Sequence, residues 1–444
     1  MNIQSISVDY LGKAWGKVLG KRPIAIDLFA GAGGLSLGLE QAGFDVVAAV
    51  EIDPVHASVH KYNFPHCSVL PQSVETVSGQ IIRKAAGLKA NTKINLVAGG
   101  APCQGFSMIG QRALDDPRNG LVREFIRIVE ELKPSYFLFE NVKGLTVGKH
   151  KKFLEEIISE MESIGYQVLK PWRVLNAKHF GVPQSRERLF LIGANKGLSL
   201  PEYPQSQEGI VTCEEALGDL PDAEEFPELI HSDNVSFKYS KRASGYSALA
   251  RCTHDNAWRL GYKRRWPKNI LTSSLRTDHT DISRRRFAAT EEGTVEPISR
   301  FFKLSSQGVS NTLRAGTDSA RGAFTSPRPI HYKYARCVTV REMARLHGFP
   351  DWFRFHETKW HGARQVGNAV PPPLAYHIGR KIIEAGSFKA ERPTETLELG
   401  ESKLLHLDMS NASKFWGVPV PIQKRDRKSG AKKRTQQEIE QANV

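Results

Sequence analysis

The chain has 444 residues, 62 of them Lys or Arg against 47 Asp or Glu, a formal charge of +15 at pH 7, and it is 40 % hydrophobic and 25 % charged. That composition excludes a disordered, collagenous or membrane-spanning class. No run of roughly 20 apolar residues occurs, and the charged opening Met1–Lys17 does not fit a signal peptide, so a cytoplasmic, nucleoid-associated protein is expected.

The first 200 residues alternate short apolar runs with longer amphipathic stretches. The runs Ile24–Phe29, Val46–Val50, Ile94–Ala98, Tyr136–Phe139 and Leu189–Gly193 are β-branched or aromatic and free of charge. They predict strands buried on both faces of a parallel sheet. Between them, Leu121–Leu132 and Lys152–Ile164 space apolar residues as helices do, and Pro134 closes the first. Residues 1–200 therefore read as an α/β domain, a doubly wound, mostly parallel, Rossmann-like sheet.

From Pro201 the rhythm fails. Pro201, Pro204, Pro221 and Pro227, with scattered Gly and Ser, predict a second, smaller, irregular and β-rich domain over 201–350, with no helix of length before Val338–His347. A return segment, 351–390, carries Gly367-Asn368-Ala369-Val370-Pro371-Pro372-Pro373 and a helix over Leu374–Glu384, and completes the first domain. Residues 391–444 read as a polar, mobile tail, basic at its end.

The loop Asp27–Leu35 (DLFAGAGGL) follows the first strand and opens a helix, so its glycines let backbone approach a ligand at free helix N–H groups. About 20 residues on, a second strand ends in Glu51-Ile52-Asp53, where a carboxylate meets a ribose hydroxyl pair. The pair points to a nucleoside cofactor without saying which. A tight strand-to-helix turn needs glycine for structural reasons too.

Cys67, Cys103, Cys213, Cys252 and Cys337 lie far apart with no CxxC spacing, against a zinc site or a disulfide framework, and no metal is expected. Four of them read as small buried hydrophobes. Cys103 differs, because GGAPCQGFS (Gly99–Ser107) leaves a strand at the carboxyl edge, where ligands of such sheets bind.

The positive charge is uneven. Lys238–Arg345 holds 22 basic against 8 acidic residues, and Lys424–Arg434 holds 7 against 1. In the first stretch Trp258, Tyr262 and Trp266 interleave with Lys263, Arg264 and Arg265, and Arg284, Arg285 and Arg286 follow. A solvated face is the plain reading of a charge run; this density favours nucleic acid, with these six cations gripping phosphates.

DLFAGAGG, GGAPCQGFS, ENV (Glu140–Val142), QSRER (Gln184–Arg188), RCVTVREMARLHGFP (Arg336–Pro350) and QVGNAVPP (Gln365–Pro372) together resemble, in order and spacing, the motifs of the cytosine-5 DNA methyltransferases of the bacterial modification type. They cover most of residues 24–384. The resemblance implies methyl transfer from S-adenosylmethionine to carbon 5 of cytosine in double-stranded DNA at a specific sequence. It also implies a base flipped out of the helix and a covalent bond from Cys103 to carbon 6. Glu140 would act protonated at ring nitrogen 3, its pKa raised by burial. Arg186 and Arg188, just before the strand Leu189–Gly193, are expected to point to opposite faces, so that both would be functional but only one would reach the base or thiolate; Arg186 is favoured, and Arg188 bridging carboxylates is the alternative.

The cofactor would lie on Phe29, Gly31, Gly34 and Leu35, with Glu51 on the ribose and Ile52 against adenine. Val74, Pro102 and Leu121 would line the far side, and Asn368 and Ala369 would return to the methionine part. Two departures matter: Ser73-Val74 stands where many members carry an acidic residue before a β-branched one, and Ile52 replaces an aromatic. Ser107–Gly120 is expected to close over DNA as a lid. Region 201–335 would recognise the target, and a separate restriction endonuclease is a possible companion to a monomeric enzyme. Three competing readings are methylation of transfer RNA, a DNA-binding protein with a degenerate methyltransferase domain, and a dehydrogenase on the same fold, for which no GxGxxG or hydride-transfer site is visible. Compact RNA-acting members argue against the first, and the intact Cys103, Glu140 and arginines against the second.

Overall fold

A computed structural model describes residues 22–102, 119–148, 150–239, 243, 245–316 and 328–421. Cys103, most of the expected lid and the basic run Lys424–Arg434 lie outside the described residues. Eight strands form one sheet: β1 (Ile24–Leu28), β2 (Asp45–Val50), β3 (Ser68–Leu70), β4 (Leu96–Gly99), β5 (Tyr136–Val142), β6 (Tyr166–Val168), β7 (Arg173–Asn176) and β8 (Glu187–Asn195). Their order is β3-β2-β1-β4-β5-β8-β6, with β7 also on β8. β1 to β5 run parallel, and β8 runs antiparallel to β5, β6 and β7. The order reverses between β1 and β4, which opens a crevice at the carboxyl ends of both.

Alternating residues feed two apolar layers. Ala25, Leu96 and Ala98 face one, and Ile26, Leu28 and Val97 the other. Helices α1 (Gly34–Ala42), α2 (Pro54–Asn63), α3 (Gly79–Ala85), α4 (Gly120–Leu132) and α5 (His150–Ser163) connect the strands. α4 buries Val122, Phe125, Ile126 and Val129 against the second layer, as its spacing predicted. β3, β6 and β7 escaped the sequence reading because runs of three or four residues carry no resolvable period.

Beyond residue 200 regular strand is scarcer than expected. β9 (Val235–Ser236) pairs β11 (Ile270–Leu271), and β10 (Lys263–Arg264) pairs β12 (Thr396–Leu397). The region holds α6 (Cys213–Leu217), α7 (Gly245–Ala250) and α8 (Asp281–Ala289), then α9 (Val340–Leu346), α10 (Lys359–Asn368) and α11 (Pro372–Ala385). α8 is Arg-rich with only Ser283 and Phe287 buried, so it offered no apolar stripe to read. The boundary expected at residue 200 falls inside one apolar cluster running from Leu138 and Ile192 to Leu217, Leu271 and Phe353.

Buried arginines join the pieces. Arg345 donates to Asp219 and Asp351, and Arg336 binds Glu342 and Asp222. Much of the basic excess over Lys238–Arg345 is therefore internal and neutralised. The C-terminal segment also departs from expectation: through residue 421 it is packed, carrying β12 and α12 (Met409–Trp416), with Leu404 and Leu405 buried. Its few apolar residues are concentrated at that contact, so overall polarity misled.

Helix α11 returns the chain to the crevice by crossing α1 at close range. A Cβ on Gly38 would stand 2.4 Å from Ala375 Cβ, and one on Gly34 would stand 2.5 Å from the Val370 carbonyl oxygen. Only glycine admits that approach, which sets Asn368–Val370 beside the loop after β1.

Candidate active site

A cavity of about 510 Å³ occupies the crevice. From the loop after β1 it takes Phe29, Gly31, Gly34 and Leu35; after β2, Glu51 and Ile52; then Val74, Pro102, Leu121, and from the end of α10 Asn368 and Ala369. All eleven residues expected around a cofactor thus line one space. Glu140, from the carboxyl end of β5, lines it too.

Glu51 sits where β2 ends. Its carboxylate accepts the Gly31 N–H at 2.8 Å and the Asp53 N–H at 2.9 Å, while burial pushes its pKa up. Ile52 beside it is 53 % exposed, an apolar side chain held out at the cavity. Two buried polar atoms of lining residues, Asp27 Oδ1 and His56 Nε2, have no hydrogen-bond partner among the described residues.

The loop that leads to Cys103 is tied to β5. Asn141 Nδ2–H donates to the Ala101 carbonyl at 2.9 Å, and a Cβ on Gly100 would meet Glu140 Oε2 at 2.6 Å. Glu140 Oε1 lies 2.9 Å from Arg188 Nε, with 12 % and 14 % of the two side chains exposed. Burial raises the Glu140 pKa, opposed by Arg188 first and Arg186 second. A carboxyl so placed holds its proton more readily than a free glutamate and faces a ligand in the cavity to which it could pass it.

The two arginines have different partners. Residues two apart on a strand would share a face, but β8 begins at Glu187, so only Arg188 lies on it, and it is Arg188 that pairs with Glu140. Arg186 is buried and donates to the carbonyls of Leu313, Gly367 and Ala369 at 3.1, 2.8 and 3.1 Å. Burial, with Arg188 nearby, lowers its pKa to about 9. It ties β8 to the segment that carries Asn368, and so bridges rather than reaches into the cavity.

The six cations expected on phosphates separate. Arg264 is a correction: its side chain is wholly buried and donates to Glu40 Oε2 at 2.7 Å, which closes it to DNA. Lys263 pairs with Asp255, Arg284 with Glu224, and Arg286 stands 3.6 Å from Glu296. Arg265 is 75 % exposed against Glu398. Arg285 is exposed and makes no ion pair among the described residues.

Burial pushes the four described thiols up, Cys213 to about 12 and Cys337 to about 11, as inert core cysteines require. No group of three His, Cys, Asp or Glu among the described residues could hold a metal, and no described helix is long and apolar enough to cross a membrane. Sequence reasoning missed Asp27, His56 and Arg364 as lining residues. Arg364 lies one turn before Asn368 on α10, so helical spacing would have flagged it had α10 been recognised.

Residues 24–384 match the family model of the C-5 cytosine-specific DNA methylases. The chain is 57 % identical over 401 residues to the Type II methyltransferase M.XorII of Xanthomonas oryzae pv. oryzae, covering 90 % of this chain and 94 % of that one. It is 35 % identical to the Type II methyltransferase M1.HphI of Haemophilus parahaemolyticus, covering 81 % and 86 %. Among solved structures, a protein described as a prophage-encoded DNA modification methyltransferase of E. coli superposes with a TM-score of 0.67 at 33 % identity, covering 82 % of this chain and 99 % of that one.

Proposed function

This chain belongs to the C-5 cytosine-specific DNA methylases and is a DNA cytosine methyltransferase of the Type II kind, and we propose that it methylates carbon 5 of a cytosine turned out of double-stranded DNA, through a transient bond from Cys103 to carbon 6. The observation that carries this reading is Glu140, paired with Arg188, in a cavity lined by all eleven expected cofactor residues. S-Adenosylmethionine fits that cavity: its volume lies in the range of small-ligand sites, and the acidic side chains of Glu51 and Asp53 suit a cationic ligand. Glu51 would hold the ribose, Ile52 and Val74 the adenine, and Phe29, Gly31, Gly34 and Asn368 the methionine part. When bound, this donor supplies an electrophilic methyl group.

The Cys103 sulfur adds to carbon 6, and the ring electrons so released make carbon 5 nucleophilic. Protonated Glu140 donates at ring nitrogen 3, where negative charge would otherwise build, and Arg188 holds that carboxyl in place. After transfer, loss of the carbon 5 proton and return of the ring nitrogen 3 proton to Glu140 restore the ring double bond and expel the thiolate. Carbon 6 of a stacked base is out of the sulfur's reach, so the base must leave the duplex.

The reading extends to a monomer that protects one sequence against a companion endonuclease, with phosphate contacts from Arg265 and Arg285. Bisulfite sequencing of plasmid from an expressing host tests it. New 5-methylcytosine at one short sequence is expected; unmodified plasmid with new 5-methylcytosine in transfer RNA would replace DNA by RNA as substrate, and neither would refute methyl transfer.

A further inference from the structure

The loop beneath the cavity is held in a costly shape. Phe29, Gly31 and Gly33 stand at φ of +59°, +55° and +105°. Phenylalanine is disfavoured there, and such a turn persists only where its surroundings fix it.

Two braces reach the turn. His60 of α2, kept neutral because burial lowers its pKa to about 4, donates from Nδ1 to the Gly31 carbonyl at 3.3 Å. Ala32 packs in a small cluster with Val59 and Tyr62 of α2 and with Leu404 and Leu405, all five buried. Those two leucines lie beyond residue 384, where the family match ends.

The segment that carries them grips α2 on both sides of His60. The Gly400 N–H donates to the Tyr62 carbonyl at 2.8 Å, and Trp416 Nε1–H donates to Ser58 Oγ at 2.9 Å. Its other flank is anchored near α10, where the Glu357 N–H donates to the Leu405 carbonyl and His356 Nε2–H to that of Leu407, both at 3.1 Å. Both braces of the turn thus depend on this C-terminal segment.

We propose that residues 396–417 are a positioning element for the cofactor loop, which hold Ala32 and α2 so that the strained turn keeps its binding shape. The inference rests on the cavity being the cofactor site. It differs from a staple that merely stabilises, because a staple would leave loop order and ligand affinity unchanged in the folded protein.

The test uses full-length Leu405→Ala and Trp416→Phe at a temperature where each is folded. Amide exchange of Gly33 and Leu37, which are hydrogen-bonded to Ala30 and Gly33, is followed without ligand, and calorimetry gives the affinity for S-adenosylhomocysteine. Leu405→Ala should speed exchange and weaken binding by about tenfold, a usual size for coupling between sites, with unchanged KM for DNA. Trp416→Phe should move both in the same direction by less, and it decides the matter if Leu405→Ala fails to fold. Unchanged exchange, or faster exchange with unchanged affinity, overturns the proposal. Faster exchange in a protein whose wild type binds no S-adenosylhomocysteine overturns the cofactor reading and with it the binding half of the proposal, and supports only the ordering of the turn by residues 396–417.

Discussion

Glu140 and Arg188 sit on adjacent antiparallel strands, diagonal across the register in which Glu140 opposes Phe190 and Val142 opposes Arg188. Their 2.9 Å contact sets burial, which raises the Glu140 pKa, against a cation that lowers it. Arg188→Gln removes the opposing charge, so Glu140 should stay protonated to higher pH. The alkaline limb of kcat should move upward, and kcat itself should fall by about 100-fold as the carboxyl loses its orientation. A pH–rate profile of the variant against wild type reads both.

Arg186 makes the opposite prediction. Its guanidinium serves three backbone carbonyls, so Arg186→Met should leave buried acceptors unpaired and cost about 3–5 kcal/mol of stability. Arg188→Gln, beside the cavity-lining Glu140, should cost much less. Urea titration of the two variants separates bridge from site residue.

Asp27 links stability to pH. Burial raises its carboxyl to about 7, against the hydrogen bond from Ser36 at 2.6 Å. The unfolded chain releases that proton near the ordinary aspartate value of about 3.9, so between the two the folded state binds more protons. This contribution is full below the lower value and is lost as pH rises through the upper one. Asp27→Asn should therefore gain stability relative to wild type as pH goes from 5 to 8, measured as the difference in urea midpoint.

Among the cations, exposure decides. Arg285→Ala should weaken DNA binding across sequences and reduce the slope of log affinity against log salt by about one. Arg264→Ala should leave that slope unchanged and destabilise the fold by about 3–5 kcal/mol, because it strands the buried Glu40. Binding titrations at several salt concentrations, with melting curves, distinguish the two.

The sheet and the cavity were legible because their signals are local. Charge-free runs such as Tyr136–Phe139 mark buried strands, and motifs such as DLFAGAGG and QVGNAVPP place backbone at a crevice. What escaped depends on distant partners. Arg264 and Arg345 look like surface charge until Glu40, Asp219 and Asp351 are brought beside them by the fold. The tail's role hangs on Leu404, Leu405 and Trp416, whose partners on α2 lie more than 300 residues away in sequence. The two arginines of QSRER could have been separated no further by pattern, since nothing in the motif shows that β8 begins between them, at Glu187.

The central claim is the bond from Cys103 sulfur to a pyrimidine carbon. DNA of the recognised sequence carrying 5-fluorocytosine blocks the last step, because fluorine cannot leave as a proton does. Incubated with S-adenosylmethionine and the purified protein, it should give a denaturation-stable complex whose peptide map places the adduct on Cys103. The absence of any such complex, or an adduct on another side chain, would contradict the account.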